Sequence, residues 1–339
     1  MVINLARTWE QLEEIQPIVL KMLKNSILKG RLAHAYLFEG MKGTGKRDAG
    51  ILLAKTFYCH SPINGYIPCE ACSNCKRINS SNHPDIHIVE PDGLSIKKAQ
   101  IQALQAEFSK TGVESNKKLY MIIHADRMTV NAANSLLKFL EGPNPGTIAI
   151  LMTQQAQQIL PTILSRCQTI SFKSLSPVKL IELLTLNGVE SHMAPILAQL
   201  TNNIEEAIEY SRNDWFVQAQ KIVLKLYEAL EKTPLEVMLA LQEDWFVHFK
   251  EKEQSDLGLD LLLLIFKDLL YIQIGKIEQI VYLEEKERFE KFALRTSRRK
   301  LTEQMTAILE AKRKLQANMN PQLLMEQLVL NLQEGSSVV

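Results

Sequence analysis

Four of the five cysteines lie within 17 residues, 59-CHSPINGYIPCEACSNC-75, with the spacing C-x9-C-x2-C-x2-C. Thiolates are soft ligands suited to tetrahedral Zn²⁺, and two-residue spacing lets one tight loop bring several sulfurs to one ion. Pro62, Gly65, Pro68 and the asparagines make this segment a loop, so a metal would replace the apolar core it lacks. Four sulfurs, from Cys59, Cys69, Cys72 and Cys75, close the coordination shell, which predicts a structural zinc with no open position for catalysis. The spacing also admits an iron–sulfur cluster, and the non-metal reading is four unpaired surface thiols. His60 and His83 are spare ligands expected to stand beside the ion as bystanders. Cys167 is remote in the chain and reads as a small packed residue.

A second chemical motif precedes the cysteines. In 36-YLFEGMKGTGKRDAGILLA-54, Gly40, Gly43, Gly45 and Lys46 follow the apolar run Tyr36–Phe38 and satisfy G-x-x-x-x-G-K. Backbone N–H groups of such a loop cradle phosphates between a strand and a helix. The next residue is normally the Ser or Thr that holds Mg²⁺ during phosphoryl transfer. Here it is Arg47, whose own positive charge can stand near the metal's place. The glycines and Lys46 either still bind a phosphate or a nucleotide, or persist only for packing. The residues leave both readings open.

These motifs need elements to hold them. Residues 1–172 alternate between helical and strand-like segments. Gln11–Lys29 has helical apolar spacing through Ile15, Ile18, Val19, Met22, Leu23 and Ile27, and Arg47–Tyr58 continues as a helix after the phosphate loop. Three short apolar runs, Ile86–Val89, Leu119–Ile123 and Ile148–Met152, suit buried strands of a parallel sheet covered on both faces. Ile96–Phe108 and Asn131–Leu140 supply further helices, the latter stopped by Gly142-Pro143. The alternation predicts an α/β sheet domain. After Phe172 no convincing strand remains. Pro177–Arg212 reads as a small helical domain and Trp215–Leu332 as a longer helical set, interrupted near Pro234, near Lys252–Gly258 and at Pro321. The last residues, GSSVV, are expected to fray.

Thirty-nine basic against 38 acidic residues give a net charge of +1, which argues against this chain being the main grip on nucleic acid. The basic stretch 286-KERFEKFALRTSRRK-300 reads first as a solvated helix face and second as a contact for DNA phosphates. The longest apolar run, Leu261–Phe266, is far short of the roughly 20 residues a membrane helix needs. The start, MVINLARTWEQLEE, lacks the apolar core of a signal peptide, so a cytoplasmic protein is expected. In a reducing compartment five cysteines favour metal binding over disulfides.

The stretch 119-LYMIIHADRMTVNAANSLLKFLEG-142 resembles the AAA+ clamp-loader family, in which the strand ends Asp-Glu-Ala-Asp before Met-Thr and a helix ending Leu-Leu-Lys-x-Leu-Glu. Laid on that pattern, Ile123 and His124 replace the acidic pair that holds Mg²⁺ and orients water, while Asp126, Met128, Thr129 and the Leu136-Leu137-Lys138 frame remain. The segment 160-LPTILSRC-167 resembles the family's Ser-Arg-Cys motif, whose arginine projects toward ATP bound by the adjacent subunit. The segments GRLAHAYLF (30–38), ANMNPQLLMEQLVLNL (317–332) and the cysteine spacing resemble it too, so the match spans the whole chain. Where ATPase members place a nucleotide-sensing arginine, the chain has Glu205.

The resemblance implies an AAA+-type domain at 1–172 with an inserted zinc loop at 59–75. A helical lid would follow at 173–213 and a helical collar for oligomerisation at 214–339, where Leu301–Leu315 and Leu323–Leu332 carry broad apolar faces. It further implies a non-hydrolysing ring subunit that joins tau/gamma ATPases and a delta subunit to load a sliding clamp onto primed DNA. Arg166, aimed by Ser165 and Cys167, would complete a neighbour's ATP site in trans. The competing readings are an active AAA+ ATPase, whose loop hydroxyl, acidic pair and sensor are all missing, and a zinc-ribbon nucleic-acid reader, for which the loop offers mainly Lys76, Arg77 and Tyr66. No polymerase constellation is visible, and a DNA polymerase label would come only from membership of a holoenzyme.

Overall fold

The computed structural model describes residues 7–109, 117–142 and 146–334. They form two compact units, one comprising Met1–Ser176 with Asn202–Glu205 and the other Pro177–Thr201 with Glu206–Val339.

The first unit opens with two helices, α1 (Trp9–Ile15) and α2 (Pro17–Leu28), where the apolar spacing predicted one. Pro17 takes the first position of α2, and Gln16 between the helices leaves helical geometry. The break has a use. The buried Gln16 amide donates to Thr44 O at 3.0 Å and Lys173 O at 2.7 Å, and its oxygen accepts from Lys173 N at 3.2 Å. One side chain thus ties the phosphate loop to the far end of the unit.

Five strands follow in the order β2-β3-β4-β1-β5, every pairing parallel. They are β1 (Ala35–Glu39), β2 (Ile86–Val89), β3 (Lys118–Ile122), β4 (Thr147–Thr153) and β5 (Gln168–Ser171). The crossovers carry α3 (Lys46–Tyr58), α4 (Ser73–Asn79), α5 (Lys98–Ser109), α6 (Val130–Glu141) and the single turn α7 (Pro161–Leu164). Alternate residues of each strand point to opposite faces. Tyr36, Phe38, Met121, Ile150 and Met152 pack with α1–α3, while Leu37, Tyr120, Ile122 and Leu151 pack with α5 and α6. All seven residues of β4 are buried, which is why it reads as an unbroken apolar run. The edge strand β5 has only Ile170 buried and shows no such run. Thr129 caps α6 by accepting from Ala132 N, and the helix ends at Gly142; Pro143 and the GSSVV tail lie outside the described residues.

The second unit is helical throughout its described residues, with α8 (Pro177–Leu186), α9 (Ala194–Leu200), α10 (Ile204–Ser211, whose first two residues belong to the first unit), α11 (Asp214–Leu230), α12 (Pro234–Ala240), α13 (Phe246–His248), α14 (Lys252–Gln273), α15 (Lys286–Ala293), α16 (Arg298–Gln316) and α17 (Pro321–Glu334). Pro234 and Pro321 begin helices, as proline at the first position favours. The interruption expected near Lys252–Gly258 falls at Phe249–Glu251, and α14 begins directly after it at Lys252. Glu251 and Gln254 form a reciprocal capping box there, and Gly258 sits inside the helix because a Cβ would come within 2.7 Å of Trp245 Cη2. A further break follows α14, where two short 3-10 turns, Ile277–Gln279 and Leu283–Glu285, replace the helix. Fully buried Asp268 holds that segment, accepting from Val281 N and from Tyr282 N at 2.8 Å. Burial raises its carboxyl to about 6 despite these bonds.

Candidate functional site

The phosphate loop leaves β1 at Glu39 and enters α3 at Lys46, as its pattern predicts. Gly43 and Gly45 have φ of 78° and 85°, a region glycine enters without strain. What presses on the loop is protein backbone. A Cβ on Gly40 would lie 2.5 Å from Phe172 O, and one on Gly43 would lie 2.4 Å from Asn202 O. Lys46 turns back into its own loop, where Nζ donates to Gly40 O at 2.5 Å and Met41 O at 2.7 Å. Burial lowers its pKa to about 8, while Asp126 opposes the shift.

The remaining cleft, about 180 Å³, is lined by Lys42, Lys46, His124, Thr153, Asn203 and Glu205 among others. His124 stands at the cleft in a left-handed conformation (φ 55°), and burial lowers its pKa, followed by the charge of Arg127. Asp126 accepts from Thr153 Oγ1 at 2.7 Å and so ties the ends of β3 and β4. Arg47 borders the cleft, but its guanidinium pairs with Glu90 Oε1 at 2.9 Å beyond the end of β2. Glu205 N donates to Asn203 Oδ1 at 3.3 Å in the first turn of α10.

The close approach of Asn202 supplies a stability test. Gly43→Ala combines a positive φ with a backbone clash and is expected to lower unfolding free energy by about 3 kcal/mol in urea titrations. Gly45→Ala shares the φ, but its Cβ would meet only side-chain ends, Ile15 Cδ1 at 3.3 Å and Leu12 Cδ1 at 3.8 Å, so about 1–2 kcal/mol is expected. Equal losses would refute packing by Asn202 as the reason for Gly43.

The four cysteines converge as their spacing predicts. Cys59 follows α3, Cys69 lies in the loop, Cys72 caps α4 and Cys75 is buried in its first turn. Their sulfurs all lie within 4.8 Å of one another. A tetrahedral site with Zn–S bonds of about 2.3 Å has edges of about 3.8 Å, so the donor set fits a structural metal. Cys69 N donates to Cys59 Sγ and Cys72 N to Cys69 Sγ, both at 3.3 Å. Backbone N–H groups of Cys72 and Ala71 lower the Cys69 thiol to about 6, whereas burial raises Cys75.

The loop has other anchors. Buried Lys55 donates to both Glu70 oxygens at 2.9 and 3.2 Å, and Thr56 Oγ1 donates to Tyr66 O at 2.7 Å. His60 meets Asn74 Nδ2 at 3.2 Å, and His83 packs against Tyr58 with tilted rings whose centres are 4.4 Å apart. Neither histidine belongs to the sulfur cluster.

Arg166 sits between α7 and β5, half-buried. Its Nη1 donates to Thr162 O at 2.7 Å, and its Nη2 pairs with Glu141 Oε1 at 2.8 Å. Ser165 Oγ donates to Thr162 O at 3.1 Å, steadying the same turn. Cys167 packs against the core of the sheet, and burial raises its thiol to about 11.

Over 331 residues, 98% of this chain and 100% of the relative, the sequence is 55% identical to DNA polymerase III subunit delta' of Bacillus subtilis. The chain belongs to the DNA polymerase III delta' family. The family described as DNA polymerase III, delta subunit, matches residues 15–176, and that described as its C terminal matches 242–334. Two further polymerase III relatives match over shorter stretches. The tau subunit of B. subtilis is 34% identical over 163 residues, 48% of this chain and 28% of tau. The delta' subunit of Pseudomonas aeruginosa is 36% identical over 137 residues, 40% of this chain and 42% of its own.

Within this delta' chain the fold gathers Gly43, Gly45 and Lys46 at one cleft with Ile123, His124 and Glu205, with Gly40 bound to Lys46 through its carbonyl, and the cysteines at a second place. Sequence reasoning missed Gln16, Asn202 and Glu141, each of which touches these sites from a distant part of the chain. A buried glutamine before a proline was the one local signal, and it pointed only to Gln16.

Proposed function

We propose that this delta' chain is a non-hydrolysing subunit of a DNA polymerase III clamp loader in the cytoplasm. It would sit in a ring with tau/gamma ATPase subunits and a delta subunit, and the complex would open a sliding clamp and place it on primed DNA. Its own AAA+-type site is silent. The observation that carries this reading is Lys46, whose ammonium is bound by the carbonyls of Gly40 and Met41, in a cleft where Ile123 and His124 stand in place of an acidic pair. Phosphoryl transfer rests on positioning and electrostatic stabilisation, and this cleft lacks the groups for both. Arg166 faces solvent in part and acts on the ATP of a neighbour, as an arginine supplied in trans. The cysteine metal is zinc, which fixes the loop and takes no part in chemistry. Residues 173–213 serve as the lid and 214–339 as the collar for assembly.

Two measurements test the proposal together. The isolated chain with Mg-ATP is expected to show no turnover above a protein-free blank. A reconstituted clamp loader is expected to lose clamp loading on primed DNA when this chain is omitted. ATP turnover by the isolated chain, abolished by Lys46→Ala, would establish the active-ATPase reading instead.

A further inference from the structure

Glu141 ends α6 and Arg166 follows α7, and the fold brings them together across a long stretch of sequence. The guanidinium has three oxygen neighbours of different character. Thr162 O and Ser165 Oγ, at 2.7 and 3.4 Å from Nη1, are neutral. Glu141 Oε1, at 2.8 Å from Nη2, brings a full negative charge, and the two side chains stay 33% and 54% exposed. The neutral oxygens orient the arginine. The carboxylate also cancels its charge.

We infer that Glu141 is a positioning residue that gates Arg166 by charge. This rests on the reading of Arg166 as an arginine acting in trans. A single exposed ion pair is too weak to withhold the guanidinium from a triphosphate offering charge-assisted hydrogen bonds. The same carboxylate repels any phosphate group that approaches the arginine. A diphosphate carries less charge and ends one phosphoryl group further away, so Glu141 competes best against it. The pair therefore favours engagement with a neighbour that still holds its γ-phosphate. Thr162 O and Ser165 Oγ, being neutral, cannot discriminate in this way.

The test is Glu141→Gln in the reconstituted complex. The amide keeps an acceptor oxygen and the side-chain size while removing the charge. ATP turnover without DNA is expected to rise about 2–5-fold, the range that loss of an exposed pair allows. The rise should shrink as salt screens the pair in the parent. Thermal unfolding of the isolated chain should be unchanged, and Glu141→Gln should add nothing once Arg166 is alanine.

The outcomes separate cleanly. If Arg166→Ala leaves turnover unchanged, the trans reading itself fails. If Arg166→Ala lowers turnover but Glu141→Gln matches or falls below the parent, the gate fails and the trans reading stands. An equal rise in the Arg166→Ala background would likewise overturn the gate, because Glu141 would then act by another route.

Discussion

Arg166→Ala, in a reconstituted clamp loader shown by size exclusion to assemble, is expected to lower DNA-stimulated ATP turnover at least tenfold and up to about 10³-fold. Hydrolysis forms a bond from water oxygen to the γ-phosphorus as the bond to the β–γ bridging oxygen breaks. Negative charge spreads over the γ-phosphoryl oxygens and the leaving oxygen, and an arginine placed against it is worth about 10³–10⁵ in rate. The lower bound applies if only some of the ring's ATP sites use this arginine, because intact sites would carry the remaining turnover. Tenfold corresponds to about 1.4 kcal/mol of transition-state stabilisation. Arg166→Lys should recover only part of the loss, since an ammonium is a point charge without the planar fork. The isolated fold should tolerate the change, as the pair with Glu141 is exposed. Unchanged turnover in an assembled ring would leave this chain a structural wedge.

The sequence exposed these features unequally, for physical reasons. The phosphate loop and cysteine cluster are local, so spacing alone located both. Strands β3 and β4 were readable because nearly every side chain is buried, whereas β5 hides behind its exposed Gln168, Thr169 and Ser171. The split between α1 and α2 turned on Pro17, which a smooth apolar spacing overrode. In the second unit Gly258 suggested a break, yet it lies within α14 because Trp245 fills the space a Cβ would need. The further break after α14 is held by Asp268 through backbone groups of Val281 and Tyr282, a contact no periodicity reveals. Plugging of the loop by Asn202, and the meeting of Glu141 with Arg166, are long-range and had no local signature. Residue types marked where the chain departs from the ATPase pattern, at Arg47, Ile123, His124 and Glu205. Which groups now fill those places is decided by packing.

Metal removal is expected to have the largest effect on stability. Cys59, Cys69, Cys72 and Cys75 draw a loop of many polar residues onto the end of α3, with little apolar burial to hold it there. Structural zinc contributes about 10–16 kcal/mol of apparent binding free energy in small domains that fold only with metal. Here the sheet has its own core, and Lys55–Glu70 and Thr56–Tyr66 anchor the loop from α3, so the loss should be local. Cys75→Ser removes the buried ligand and is expected to abolish stoichiometric metal in elemental analysis. It should open residues 59–79 to proteolysis and cost roughly 4 kcal/mol or more in unfolding. Cys167→Ser, a packed residue outside the cluster, should leave metal content unchanged. A colourless protein with one zinc per chain would fit the closed four-sulfur site, while visible charge-transfer absorption with bound iron would assign the cluster to iron and sulfide. If Cys75→Ser kept its protease resistance and the parent held no metal, the four thiols would be a packing cluster, and the loop would owe its shape to its other anchors, Glu70 and Tyr66 among them.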